Sequence, residues 1–125
     1  MRNSALRIVL YYVREEPFMN AQYKKGVLEL CVLSLLSRSD RYGYDVSESL
    51  SRHIDISDGT VYPILRKLKS DGLVTTYLVE ESGGPPRKYY SLTKLGAAEY
   101  ASTREEWLTF AGTVEKLLKG EFGNE

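Results

Sequence analysis

Hydroxyl, aromatic and basic side chains are concentrated in one short segment, SDGTVYPILRKLKSDGL, which runs from Ser57 to Leu73. Its apolar residues Val61, Leu65 and Leu68 follow one another at i, i+4 and i+7, the spacing that places side chains on one face of a helix. The polar groups occupy the remaining surface, where they can bond to phosphate oxygens and to the edges of bases. We therefore interpret this segment as a DNA recognition helix.

The ends of this predicted helix carry residues that are typical of helix ends. Ser57 and Asp58 can cap the free N–H groups of the first turn, and Gly72 follows the last turn, where a left-handed residue is common. Arg66 and Lys67 each suit guanine or phosphate, and the sequence does not distinguish the two. The predicted DNA contacts on this segment are Ser57, Thr60, Tyr62, Pro63, Arg66 and Lys67. The alternative is an ordinary helix with solvated charges.

Two further candidate DNA contacts, Arg87 and Lys88, follow a Gly-Gly-Pro-Pro turn. The stretches LVTTYLVEE and RKYYSL on either side of this turn are rich in β-branched and aromatic residues, which predicts two strands. A hairpin directly after a recognition helix is the wing of a winged helix, and its cations suit contacts to the DNA backbone or minor groove. The turn lacks the Lys-Ser/Thr pair and the following helix of a phosphate-binding loop.

The segments before the recognition helix must position it. YGYDVSESLSRH predicts a helix with Tyr42, Val46 and Leu50 facing inward, and Gly43 indicates a close approach to another backbone. GVLELCVLSLLS is apolar on nearly every side, so we expect it to contact a second subunit as well as its own domain. The interface residues expected there are Leu28, Val32 and Leu35. The single cysteine, Cys31, is expected to be a small buried apolar residue.

A long helix is predicted from Thr93, its capping residue, to about Leu118. Its apolar and aromatic residues step by 7, 4, 3 and 4, which resembles a heptad seam and predicts packing against a second copy around a two-fold axis. The seam residues are Tyr100, Trp107, Ala111, Val114 and Leu118.

Trp107 and Phe110 on this helix are also candidates for ligand binding. Across a two-fold axis, two tryptophans can form a flat pocket for an aromatic or cationic compound. The alternative is that Trp107 is only an apolar anchor of the dimer, because aromatic residues at helical spacing usually belong to a core.

Charge and composition limit the classes of function. The 125 residues contain 17 basic and 17 acidic side chains, one cysteine and one histidine. A lone cysteine forms no disulfide within the chain, and no apolar run reaches the ~20 residues of a membrane span, so a cytoplasmic protein is expected. The sequence contains no cluster typical of a metal site, no catalytic set and no cofactor loop. It therefore predicts neither an enzyme nor a metal or cofactor.

The predicted fold is mainly α with a small β-hairpin wing (α+β). Residues 1–18 form an N-terminal extension or extra helix, or else precede the true start of the protein. Residues 19–92 form the winged helix-turn-helix domain, residues 93–120 the C-terminal dimerisation helix and residues 121–125 a tail.

The chain resembles the PadR family of transcriptional regulators. The resemblance covers roughly residues 25–118 and is carried by GVLELCVLSLL, YGYD, ISDGTVYPILRKLKSDGLV and GGPPRKYYSLTKLG. The single C-terminal helix is similar to the shorter subgroup of that family. The resemblance implies a homodimeric winged-helix repressor that a small ligand releases from operator DNA. The remaining alternative is a winged-helix module that binds another protein.

Overall fold

The computed structural model describes residues 21–81 and 83–123, with the side chains from residue 26 onward. This part of the chain contains four helices and one three-stranded antiparallel sheet, the predicted α+β architecture. The predicted extension at residues 1–18 lies outside the described residues. The elements in chain order are α1 (Ala21–Arg38), β1 (Arg41–Tyr42), α2 (Gly43–Ser51), α3 (Asp58–Ser70), β2 (Val74–Val79), β3 (Arg87–Leu92) and α4 (Lys94–Leu118).

Helix α3 is the predicted recognition helix, and its apolar face is buried as expected. Val61 and Leu65 are 0% exposed and Leu68 is 2% exposed. The expected side-chain cap is not formed at its start. Instead the Ser57 carbonyl accepts the N–H of Thr60 at 3.0 Å, and the Asp58 carboxylate accepts a hydrogen bond from the Ser47 hydroxyl of α2. Asp58 therefore ties α3 to α2.

Gly72 follows the last turn of α3, as predicted. Gly72 has a φ of 76°. Its N–H donates to the Lys69 carbonyl at 3.0 Å, and the N–H of Leu73 donates to the Leu68 carbonyl at 2.9 Å. This pair of bonds is the Schellman motif, which satisfies the last carbonyls of a helix and turns the chain toward β2.

The predicted hairpin forms from β2 and β3, with Tyr77 opposite Tyr89 and Val79 opposite Arg87. A third strand, β1, pairs with the other edge of β3, where Tyr42 lies opposite Tyr89. The prediction that Tyr42 lies on the inner face of a helix is therefore wrong. Helix α2 begins one residue later, at Gly43.

The core is built from α1, α2, α3 and the start of β2, with Tyr90 of β3 closing it. Two residues predicted at a subunit interface, Leu28 and Val32, are 2% and 0% exposed within the single chain. Their burial therefore needs no second subunit, because α2 and α3 already cover this side of α1. Leu35 is only partly buried against the same core.

Helix α4 begins as predicted, with the Thr93 hydroxyl accepting the N–H of Gly96 at 2.9 Å. Farther along, the Tyr100 hydroxyl donates to the Ser34 hydroxyl of α1 at 3.1 Å. Beyond this contact most side chains of α4 are exposed. No helix in residues 21–81 or 83–123 combines the length and apolarity required to cross a membrane.

Candidate nucleic-acid interface

The outer surface of α3 carries most of the side chains predicted to contact DNA. Ser57, Pro63 and Arg66 are exposed, whereas Thr60 and Tyr62 are half-buried at its two sides. The four buried residues of α3 all face the core, so they leave the opposite side of this helix open to a groove of DNA. The structure thus brings five of the six predicted residues to the open side or the flanks of one helix.

Tyr62 is held against the start of α2. A Cβ atom at Gly43 would lie 2.8 Å from Cε1 of Tyr62, so any other residue there would displace this ring from its present position. The close approach expected at Gly43 therefore exists, but it is made to an aromatic side chain and not to another backbone. Burial, followed by the nearby Asp58 carboxylate, raises the pKa of the Tyr62 hydroxyl, which stays a hydrogen-bond donor at neutral pH.

An open cleft of about 350 Å³ lies between α3 and the wing. Two of the cations predicted to contact DNA line it together. Arg66 comes from the recognition helix and Lys88 from β3, so helix and wing contribute one positive charge each. The lining residues are Tyr42, Gly43, Tyr44, Tyr62, Arg66, Lys88 and Tyr90. The two cations and the hydroxyls of Tyr44 and Tyr62 are groups that can bond to phosphate oxygens.

Tyr44 is a member of this cleft that the sequence interpretation did not single out. Its side chain is 51% exposed beside the other tyrosines of the cleft. A hydrogen bond to Glu48 raises the pKa of its hydroxyl, so it also keeps its proton at neutral pH. The Tyr42-Gly43-Tyr44 sequence could have pointed to Tyr44, because a glycine between two aromatic residues indicates a surface on which the rings pack.

Arg87 and Lys88 lie on opposite faces of β3, because successive side chains of a strand alternate. Lys88 faces the cleft beside α3. The guanidinium of Arg87 instead lies 4.8 Å from the centre of the Tyr42 ring, on the outer face of the sheet. It is also 3.8 Å from the Glu81 carboxylate. The two neighbouring cations therefore reach different surroundings.

Lys67 is oriented away from the cleft. Its ammonium lies 2.8 Å from the Glu29 carboxylate of α1 and 3.0 Å from the Asp71 carboxylate at the end of α3. These carboxylates, Glu29 first, raise the pKa of Lys67. The geometry therefore gives Lys67 partners within the domain, in contrast to Arg66 one residue earlier.

A second candidate site lies on α4. The ring centres of Trp107 and Phe110 are 6.3 Å apart. The two rings border an apolar groove of about 390 Å³ that runs toward the end of α4. Trp107 also borders a second groove of about 390 Å³ between α1 and α4. The residues of the first groove are Trp107, Phe110, Ala111, Val114, Glu115, Leu118 and Lys119.

Tyr100, the first residue of the predicted seam, stays outside both grooves and bonds to Ser34 of its own chain. Cys31 is half-buried, and burial raises the pKa of its thiol. Within the described part of the chain, no three His, Cys, Asp or Glu side chains are grouped closely enough to hold a metal ion.

Comparison with known proteins gives one consistent family. The profile of the transcriptional regulator PadR-like family matches residues 32–102, more than half of the chain. Transcriptional regulator Rv3488 of Mycobacterium tuberculosis is 31% identical over 108 residues, covering 83% of this chain and 91% of that protein. The negative transcriptional regulator PadR of Bacillus subtilis is 28% identical over 100 residues, covering 77% of this chain and 53% of that protein.

A solved structure agrees with the sequence matches. The crystal structure of a PadR-like transcriptional regulator from Bacillus cereus superposes with a TM-score of 0.71 at 36% identity, covering 78% of this chain and 97% of that chain. The family and these relatives are transcriptional regulators, not enzymes. With its recognition helix and β-hairpin wing in the expected order, this chain belongs to the PadR-like family of winged-helix transcriptional regulators.

Proposed function

We propose that this protein is a cytoplasmic homodimeric repressor that binds a specific operator in double-stranded DNA and leaves it on binding a small aromatic or hydrophobic effector. The observation that carries the DNA-binding part is the cleft in which Arg66 of α3 and Lys88 of β3 lie together. A phosphate held between them would fix the helix and the wing on one duplex, because phosphate contacts set the register of a protein on DNA.

The side chains assigned to DNA follow from their exposure. Arg66, Pro63 and Thr60 approach the groove from α3, while Tyr62 and Tyr44 offer hydroxyl groups beside the cleft. Ser57 at the start of α3 is exposed and suits a backbone phosphate, as do Lys88 and Arg87 of the wing. We assign Lys67 a structural role, since its ammonium is already paired with two carboxylates.

The exposed apolar surface of α4 supports the dimer. Phe110 is 61%, Leu117 58% and Leu118 83% exposed. Covering such side chains with a second copy of the helix removes them from water, at about 25 cal/mol for each Å² of apolar surface. A symmetric dimer would present two recognition helices at ~34 Å, one turn of DNA apart.

The repressor assignment and the effector rest on separate support. The Bacillus subtilis relative is named a negative transcriptional regulator. Trp107 and Phe110 border an apolar groove whose rim carries Glu115, a lining that suits a planar aromatic compound. An effector of this kind would release the operator by binding more tightly to a dimer arrangement that does not fit DNA.

The test is operator binding measured by fluorescence anisotropy over a series of salt concentrations, with a duplex from the region upstream of the protein's own gene. We expect tight binding that weakens with salt, and Arg66→Ala or Lys88→Ala should each lower the salt slope by about 1. Lys116→Ala, on α4 and outside the groove beside Trp107, is the control and should leave the slope unchanged. Failure to prefer any duplex over random DNA would overturn the assignment and favour a protein-binding winged helix.

A further inference from the structure

Three tyrosines form a row across the outer face of the sheet, one from each strand. Tyr77 of β2 and Tyr89 of β3 are register partners, and their rings stack with centres 5.7 Å apart. Tyr89 is also opposite Tyr42 of β1, with ring centres at 5.9 Å. We call Tyr42, Tyr77 and Tyr89 the tyrosine ladder. Aromatic pairs across strands are among the contacts that stabilise a sheet and fix its register.

A hydrogen bond holds the Tyr77 end of the ladder, opposite Tyr42. The Tyr77 hydroxyl donates to the Asp40 carboxylate at 2.6 Å, which joins β2 to the turn before β1. This hydrogen bond, the largest cause, raises the pKa of Tyr77, so the bond persists at neutral pH. The hairpin is therefore connected to β1 by backbone pairing, by the tilted contact between the Tyr42 and Tyr89 rings and by one side-chain bond.

Arg87 lies at the other end of the ladder. It precedes Tyr89 by two residues on β3, so both side chains emerge on the outer face. Its guanidinium stands 4.8 Å from the centre of the Tyr42 ring, within the ~6 Å over which a cation is attracted to an aromatic face. The Arg87 guanidinium also lies 3.8 Å from the carboxylate of Glu81, which is its charged neighbour.

We propose that Tyr42 is a positioning residue for DNA binding, which holds the guanidinium of Arg87 in the orientation that meets the DNA backbone. This inference rests on the proposed function, in which Arg87 is a phosphate contact. Tyr42 acts through its ring face. It limits the positions of a long side chain before DNA binds, while the planar guanidinium presents its N–H donors at its edge, with Glu81 at 3.8 Å on one side.

The expected size of the effect follows from side-chain ordering. An arginine that is free in solution must be immobilised when DNA binds, which weakens binding by about 2- to 10-fold per side chain. Tyr42→Leu should therefore weaken operator binding by roughly that factor. Tyr42→Phe retains the ring and should bind as the wild type does.

A double-mutant cycle separates positioning from a general effect on the wing. If Tyr42 acts through Arg87, Tyr42→Leu should weaken binding in the wild-type background and change nothing in an Arg87→Ala background. Tyr77→Leu is the matched control, because it removes another ring of the ladder that is not the one beneath Arg87. Its effect should be the same in both backgrounds. Thermal midpoints of all variants show whether the fold is kept.

The outcomes distinguish this inference from the proposed function. Equal losses for Tyr42→Leu with and without Arg87, or failure of Tyr42→Phe to restore binding, would overturn the positioning role while leaving DNA binding intact. A wild-type protein that binds no operator would instead overturn the proposed function. A loss that disappears with Arg87 removed, together with full binding by Tyr42→Phe, would support the inference.

Discussion

The ammonium of Lys67 lies 2.8 Å from the carboxylate of Glu29, and this ion pair joins the recognition helix to α1. The side chain of Lys67 is half exposed and that of Glu29 is 21% exposed, so the pair lies at the edge of the core. Asp71 completes the arrangement at 3.0 Å. A lysine of α3 that suits DNA by its charge alone is thus turned toward the body of the domain.

Replacing Lys67 tests whether this orientation persists on DNA. We expect Lys67→Met to lower the free energy of unfolding by about 1–3 kcal/mol, because it leaves the mostly buried Glu29 carboxylate without its partner. Operator affinity should keep its salt slope, because no phosphate contact is lost. Urea unfolding and anisotropy titrations measure the two quantities. Lys69→Met, on the same helix, is the control. A salt slope of operator binding that falls by about 1 for Lys67→Met would show that Lys67 contacts a DNA phosphate after all.

The junction between Gly96 and Leu73 gives a prediction on stability. A Cβ atom at Gly96 would overlap the carbonyl of Leu73, so Gly96→Ala must displace the start of α4. We expect a loss of about 1–3 kcal/mol in the free energy of unfolding, as for other overfilled sites. Gly26→Ala in α1 is the control, because apart from its chain neighbours and its own helix backbone no described atom lies within 4 Å of the added Cβ. It should be neutral or slightly stabilising, and equal losses for both variants would contradict the packing argument.

The exposed end of α4 predicts the oligomeric state. Leu118 is 83% exposed in the single chain and borders the apolar groove beside Trp107. Leu118→Asp would place a charge in the proposed interface and should shift the protein from dimer toward monomer in sedimentation experiments. Leu95→Asp is the control, since Leu95 is 57% exposed at the other end of α4. A wild-type monomer, or equal behaviour of both variants, would reject the α4 interface.

Trp107 is the only tryptophan of the chain, so its fluorescence reports on the proposed effector site. Planar aromatic dyes should quench this fluorescence and raise the thermal midpoint, because a ligand that binds only the folded state stabilises it. Phe110→Ala should weaken both effects, since the two rings border the same groove. An unchanged spectrum together with an unchanged midpoint would leave Trp107 as an apolar anchor only.

Cys31 provides a prediction on pH. Because burial raises the pKa of its thiol, the folded state keeps this proton to higher pH than the unfolded state does. Above about pH 8.5, the pKa of a free thiol, the unfolded state binds fewer protons, so this group lowers stability as pH rises. The difference in unfolding free energy between the wild type and Cys31→Ala should therefore decline above that pH. Thiol labelling should likewise reach its half-maximal rate at a higher pH than a free cysteine peptide, and identical profiles would contradict the shift.

Local patterns in the sequence predicted the recognition helix and the wing. The spacing of Val61, Leu65 and Leu68 and the Gly72 stop are properties of neighbouring residues, and the structure confirms all four. Strand β1 was missed because two residues have no periodicity, and its partner lies far along the chain in β3.

The features that local patterns did not reveal have a common physical origin in tertiary contacts. The apolar character of α1 correctly indicated burial of Leu28 and Val32, but it could not say that α2 and α3 supply the cover. Arg66 and Lys67 are adjacent and similar in charge, and only the position of Glu29 on another helix gives Lys67 its ion pair with α1. The DNA, dimer and effector assignments stay predictions.

The hydrogen bonds around Thr93 have a mechanical consequence. The Thr93 hydroxyl donates to the Gly72 carbonyl at 2.7 Å, and its N–H donates to the Leu73 carbonyl at 3.1 Å. The residue just before α4 is thus bonded directly to Gly72 and Leu73, which follow the C-cap of α3. The 25 residues of α4 span roughly 37 Å, so each degree of tilt at this joint moves the far end by about 0.6 Å. Were α4 to tilt about this joint, a displacement of a few Å at Leu118 would correspond to a turn of only a few degrees at the C-terminal end of α3.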